Sequence, residues 1–117
     1  MHELALAHSV VEILCEEAER HGLRRIDGFT LRVGQLRAVV PELLQSCMAI
    51  ASRGTPAEGA RMELDVVAGQ ARCRCGAEFA IDELLFLCPR CGKPGAAVTR
   101  GQELALVEIE GDAGDGP

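Results

Sequence analysis

The sequence predicts an α+β fold: two helices on a three-stranded, mostly antiparallel sheet, with a small zinc-ribbon-like domain inserted before the last strand. Three observations lead there. Apolar residues recur at helical spacing in two stretches and alternate in three others, and four of the six cysteines crowd between the second and third of those alternating stretches.

From Leu4 to Arg20 the residues Leu4, Ala7, Val11, Leu14 and Ala18 return every three or four positions, and Leu6, Val10 and Ile13 widen the stripe into an amphipathic helix. His21-Gly22 ends it, because glycine takes the left-handed conformation that a helix C-terminus favours. Glu16, Glu17 and Glu19 fall on its outer face. "FTLRVG" then alternates Phe29, Leu31 and Val33 against Thr30 and Arg32, a strand with one buried face closed by Gly34. Pro41 opens the second helix, where its missing N–H costs nothing, and Leu44, Cys47, Met48 and Ala51 form the apolar face. Gly54 and Pro56 stop it. Two more strands are expected: "RMELDVV" through Met62, Leu64 and Val66, and "ELALVEIE" through Ala105, Val107 and Ile109. The domains read as 1–70 plus 101–110, an insert at 71–100 and a disordered, small-residue tail at 111–117.

Composition narrows the function. The 117 residues suit one core of their own, and with 3% aromatic content and no Trp or Tyr that core is aliphatic. A net charge of −6 argues against an electrostatic grip on nucleic acid. There is no apolar run of bilayer length, and the first twenty residues carry acids where a secretion signal has a basic start, so a cytoplasmic protein with no membrane partner is expected.

In that reducing setting, closely spaced cysteines point to metal rather than disulfides. Cys73 and Cys75, then twelve residues, then Cys88 and Cys91 make two chelating pairs that can set four thiolates around one Zn²⁺, a closed structural site. Without the cross-link an insert so poor in apolar residues lacks a core. In "CPRCG" a turn aims backbone N–H groups at sulfur, and Gly92 relieves the strain after the second ligand. The C-x-C half bites more tightly than an ordinary knuckle. Every histidine lies before residue 22, so no open catalytic zinc site is expected, and the chain reads as a non-enzyme. The insert's five cations are offset by three acids and the formal −2 of a Zn(Cys)₄ centre, which leaves no basic face for nucleic acid. Cys15 and Cys47 read as buried free thiols on helix faces.

The start "MHE" holds a second candidate. The Met1 amine, the His2 backbone nitrogen and the His2 imidazole can close adjoining chelate rings around Ni²⁺ or Cu²⁺, with Glu3 filling a further position, yet a second-position histidine is also an ordinary exposed polar residue. His8 and His21 read as plain helix residues, the latter favoured near a C-terminus. Taken in order, "MHELALAHSVVEI", "LRVGQLRAVVPELL", "SRGTPAEGARMEL", the paired-cysteine insert and "GQELALVEIE" resemble the HypA/HybF family of hydrogenase nickel-incorporation proteins, from Met1 to about Glu110. The resemblance implies a nickel metallochaperone that loads the [NiFe]-hydrogenase large subunit with a HypB-type GTPase as partner. It implies nickel at Met1, His2 and Glu3, and zinc at Cys73, Cys75, Cys88 and Cys91. Many relatives read C-x-x-C in the first pair where this chain reads C-x-C. Glu42 is a further acid near the second helix's start, and a solvated first-turn residue suits it better than a ligand. Alternative readings are a zinc-ribbon adaptor without nickel delivery and a thiol redox switch, and a homodimer is compatible with all of them.

Overall fold

The computed structural model describes residues 2–114. Met1 and the final three residues of the expected tail lie outside them. The order is α1 (His2–Arg20), β1 (Arg25–Gly34), a 3-10 turn (Gln35–Arg37), α2 (Pro41–Ala51), β2 (Arg61–Val67), β3 (Gly69–Arg72), β4 (Glu78–Ile81), β5 (Ala97–Arg100) and β6 (Leu104–Asp112). Two three-stranded sheets result, ordered β2-β1-β6 and β4-β3-β5.

Two compact units divide the chain. One takes the residues up to Leu31, Val39–Leu64 and those from Leu106 onward; the other takes Arg32–Ala38 and Asp65–Ala105. The expected insert at 71–100 is therefore the centre of a larger unit.

In the first unit, α1 buries Leu6, Ala7, Val10, Val11, Leu14 and Ala18 along one stripe. It packs against α2, which buries Leu44, Cys47 and Met48. Leu14 and Leu44 are wholly buried, each worth roughly 1.5–3 kcal/mol relative to exposure. Ile26, Phe29 and Leu31 of β1 complete the core. The Leu23 N–H reaches back to the Ala18 carbonyl at 2.8 Å across Gly22, whose φ is 66°, so α1 ends in the glycine turn its sequence signals.

Four strand details depart from the sequence reading. β1 starts at Arg25, four residues before Phe29, because the Ile26 N–H finds the Pro56 carbonyl at 2.8 Å. In β2 Met62 and Leu64 are half-buried, but Val66 is 59% exposed and Val67 is buried, the phase changing where the strand enters the second unit. In β6 Leu104, Leu106 and Ile109 turn inward while Ala105 and Val107 are exposed; consecutive exposed residues Val107 and Glu108 break the alternation. Gly111 and Asp112, expected in the tail, continue β6, held by the Arg24 N–H on the Asp112 carbonyl at 2.8 Å.

The second unit has a small core of its own, which composition alone did not promise: Leu36, Ala71 and Ile81 are buried, with Phe79, Phe86, Ala96 and Val98 packed against them. Its antiparallel sheet pairs Ala71 with Phe79 on one side and with Val98 on the other. Leu36 comes from far upstream. Its N–H donates to the Gly101 carbonyl at 2.8 Å, the Gly34 N–H donates to Glu103 at 2.8 Å, and the Gln35 side chain accepts from the Gly69 N–H at 2.9 Å. This close approach requires glycine. A Cβ on Gly34 would collide with the Gly101 carbonyl, and Gly101, at φ 110°, would bring one to 2.6 Å from the Gly69 Cα and 3.0 Å from Leu36.

Replacing Gly101 with alanine is accordingly expected to cost about 1–3 kcal/mol through left-handed strain alone, more with the clash. Denaturant unfolding followed by amide signals of β3 and β5 measures it; an unchanged midpoint would contradict the account.

Candidate metal centre

The four cysteines of the second unit converge. Their sulfurs all lie within 4.8 Å of one another, with Cys73 Sγ to Cys91 Sγ at 3.6 Å and Cys75 Sγ to Cys88 Sγ at 3.7 Å. Four sulfurs bonded to zinc at about 2.3 Å would stand about 3.8 Å apart at the corners of a tetrahedron, so the donor set fits the ion expected from the spacing. These distances are far beyond a disulfide bond, and all six cysteines are free.

Each pair is built by a turn. In the first, the Cys73 N–H donates to the Ala77 carbonyl at 2.9 Å and the Gly76 N–H to the Cys73 carbonyl at 2.9 Å, with Gly76 at φ 94°. In the second, the Gly92 N–H donates to the Cys88 carbonyl at 2.8 Å and the Cys88 N–H to Lys93 at 3.0 Å. The tight C-x-C bite thus delivers its sulfurs into the same cluster as the wider C-x-x-C. Cys73 and Cys88 are buried, Cys75 and Cys91 exposed.

The electrostatics favour a thiolate before any metal arrives. The Cys91 N–H donates to Cys88 Sγ at 3.5 Å, and this bond, helped by the Arg90 N–H and the Cys75 and Cys91 thiols, outweighs desolvation and brings Cys88 down to about 6. Cys91 moves the other way. The Lys93 N–H lowers it, but desolvation and hydrogen bonding to the Cys73, Cys88 and Cys75 sulfurs together push it up to about 11. Arg74 and Lys93 line a cleft of about 590 Å³ beside Cys73, Cys75 and Cys91, where their charge offsets that of the sulfurs.

At the other expected site the first helix begins earlier than the Leu4 start read from the sequence: His2 and Glu3 both belong to the first turn of α1. The Glu3 carboxylate is buried, and its Oε2 accepts the Val40 N–H at 3.2 Å and lies 3.8 Å from His2 Nδ1. Val40 is the residue that caps α2, and it has no side-chain cap of its own. The Val40 hydrogen bond, above all, holds Glu3 below the usual carboxylate range, with smaller help from its own backbone N–H and from His2. No sequence signal marked Val40, because its contribution is a backbone N–H. His2 itself is exposed, Glu42 is exposed in the first turn of α2, His8 is exposed, and His21 sits 3.2 Å from Glu17. Cys47 is buried and Cys15 half-buried. Among the described residues no metal-ligand cluster other than the four cysteines is present.

Comparison with known proteins agrees across the chain. A family model described as hydrogenase/urease nickel incorporation, metallochaperone, HypA matches residues 1–111. The hydrogenase maturation factor HypA of Rhizobium leguminosarum is 38% identical over 111 residues, covering 94% of this chain and 98% of the relative. HybF of Klebsiella pneumoniae is 38% identical over 113 residues, covering 96% and 100%. The solution structure of the Ni metallochaperone HypA from Helicobacter pylori shares the fold, with a TM-score of 0.71 at 20% identity over 96% of this chain and 98% of that one.

The Glu3 contact carries a pH signature. A carboxyl held below its usual range stabilises the fold above that range and loses the contribution as pH falls through its lowered value. The Val40 amide resonance should therefore titrate with a midpoint below that of a free glutamate. Glu3→Ala should abolish that titration and speed hydrogen exchange at Val40.

Proposed function

We propose a function from one premise: the chain belongs to the HypA family of hydrogenase and urease nickel-incorporation metallochaperones. In this reading it binds Ni²⁺ as cargo at Met1, His2 and Glu3 and passes it to the large subunit of [NiFe]-hydrogenase with a HypB-type GTPase. Cys73, Cys75, Cys88 and Cys91 hold a structural Zn²⁺. The protein exchanges ligands rather than catalysing a reaction, and it works in the cytoplasm. The family match over residues 1–111 carries the reading. Among the described residues no helix is long and apolar enough to cross a membrane.

The head of α1 supports nickel there for a physical reason. The first N–H groups of a helix have no carbonyl partner within it, so the backbone nitrogen of His2 can be deprotonated for a metal without breaking a helical hydrogen bond, and that of Glu3 would give up only its contact with its own carboxylate. The exposed His2 imidazole is within the same turn, and the Glu3 anion offsets the positive end of the helix dipole that would otherwise oppose a cation. Because its carboxylate is engaged with Val40, Glu3 serves the site through its backbone nitrogen and its charge. Amine, amide and imidazole must all lose protons to ligate, so nickel affinity falls as pH drops.

Zinc, when bound, supplies rigidity. Through the four sulfurs it would tie the turn that follows β3 to the second cysteine pair, in a region whose own core is small. Cargo release needs nitrogen ligands that rearrange at a helix end, whereas a closed thiolate site keeps its ion.

Calorimetric nickel titration of zinc-loaded, untagged protein should find one specific site, and His2→Ala should weaken it at least tenfold. Equal binding by both proteins would leave a zinc-stabilised adaptor instead. Metal counting under reducing conditions should give one zinc per chain, lost in Cys88→Ser together with the ordered amide signals of β3–β5 while α1 and α2 remain helical. Zinc-free protein with an intact second unit would defeat the structural assignment.

A further inference from the structure

Between β4 and the second cysteine pair the chain reads Asp82-Glu83-Leu84-Leu85-Phe86-Leu87-Cys88. Three leucines of this short connection stand in solvent: Leu84 is 56% exposed, Leu85 88% and Leu87 61%. Single exposed leucines are ordinary, but three within four residues on one loop make an apolar patch that calls for a partner.

The loop is fixed at several points. Ile81 before it is buried in the unit's core, and Cys88 after it is buried in the thiolate cluster. Between them Phe86 packs edge-to-face on Phe79, ring centroids 5.8 Å apart. With Phe86 turned inward, Leu85 and Leu87 on either side are turned out. The ridge is thus preorganised, which lowers the entropy lost when it is covered.

Its charge says what kind of surface covers it. Asp82 and Glu83 are exposed beside the leucines, and among the described residues neither is in an ion pair, whereas nearby Glu78 has Arg72 at 3.8 Å. From residue 78 to 89 there is no lysine or arginine. A second copy meeting this ridge across a two-fold axis would set the acids against themselves. An anionic lipid surface would repel them.

We propose that residues 82–87 form a docking ridge for a partner protein that offers an apolar groove with basic residues on its rim. The choice of probes rests on the function proposed above, but the ridge is remote in sequence from His2 and its test is separate from nickel binding. Purified GTPase partner and purified hydrogenase large-subunit precursor serve as probes, each titrated by interferometry against the zinc-loaded full chain at low and high salt. Two variants are compared with the unmodified protein: Leu84→Ser/Leu85→Ser/Leu87→Ser, and Asp82→Lys/Glu83→Lys. Both should keep one zinc and the same circular dichroism, since the altered side chains face solvent. Binding to one probe should fall at least tenfold in each variant and weaken with salt in the unmodified protein, while nickel titration is unchanged. If the serine variant loses zinc, Leu85→Arg alone decides by the same criterion. Binding to both probes within twofold of the unmodified protein overturns the ridge. So does a dimer that the serine variant dissolves, or capture of the unmodified chain by phosphatidylglycerol vesicles. Failure of the unmodified protein to bind either probe also overturns it, leaving the nickel titration to judge the function.

Discussion

Four cysteine sulfurs held at near-tetrahedral separation are the constraint on which the second unit depends. Leu36, Ala71 and Ile81 are the fully packed residues of its hydrophobic cluster, and Phe79, Phe86, Ala96 and Val98 only lean against them. Ordering a chain segment costs about 1–2 kcal/mol per residue in backbone entropy, which a core this small does not offset by apolar burial alone. A metal bound by the four sulfurs would supply the missing stabilisation at a single point. The peptide turns prepare for it by aiming the Cys91 N–H at the Cys88 sulfur, so part of the charge the ion needs is already stabilised by the backbone.

A second constraint is the meeting of Gly34, Gly69 and Gly101 around Leu36. Backbone passes so near to backbone that no side chain fits, and the released space admits the leucine. This packing explains why Arg32–Ala38, separated from the rest of the second unit by Val39–Leu64, belongs to it. It also shows why an insert defined by cysteine spacing alone is too narrow: the unit's boundaries follow packing, and its cysteines mark only the centre.

The head of α1 works by a different principle. Glu3 is an acid in a buried place, tolerated because it accepts the Val40 N–H and stands beside His2. A carboxylate so engaged positions the turn that carries His2 and caps the approach to α2 at once. The surface ion pairs, by contrast, such as Arg61 with Glu63 and Glu110, are exposed and belong to the class worth between zero and about 1 kcal/mol.

Local patterns in the sequence by themselves determined the two helices, the principal strands and the four cysteines that come together. Helical spacing, Pro41, Gly22 and the cysteine pairs act over a few residues, where covalent geometry and periodicity leave few alternatives. Tertiary structure decided what depends on distant partners. It turned Leu104 and Leu106 of β6 inward in place of Ala105 and Val107, carried that strand through Asp112, turned Val67 rather than Val66 inward, recruited Leu36 to the second core and buried Glu3 against a backbone N–H. The reason is common to these cases: a backbone hydrogen bond or a glycine-sized gap leaves no residue-type signature in the segment that uses it, so it is readable only when both partners are in place.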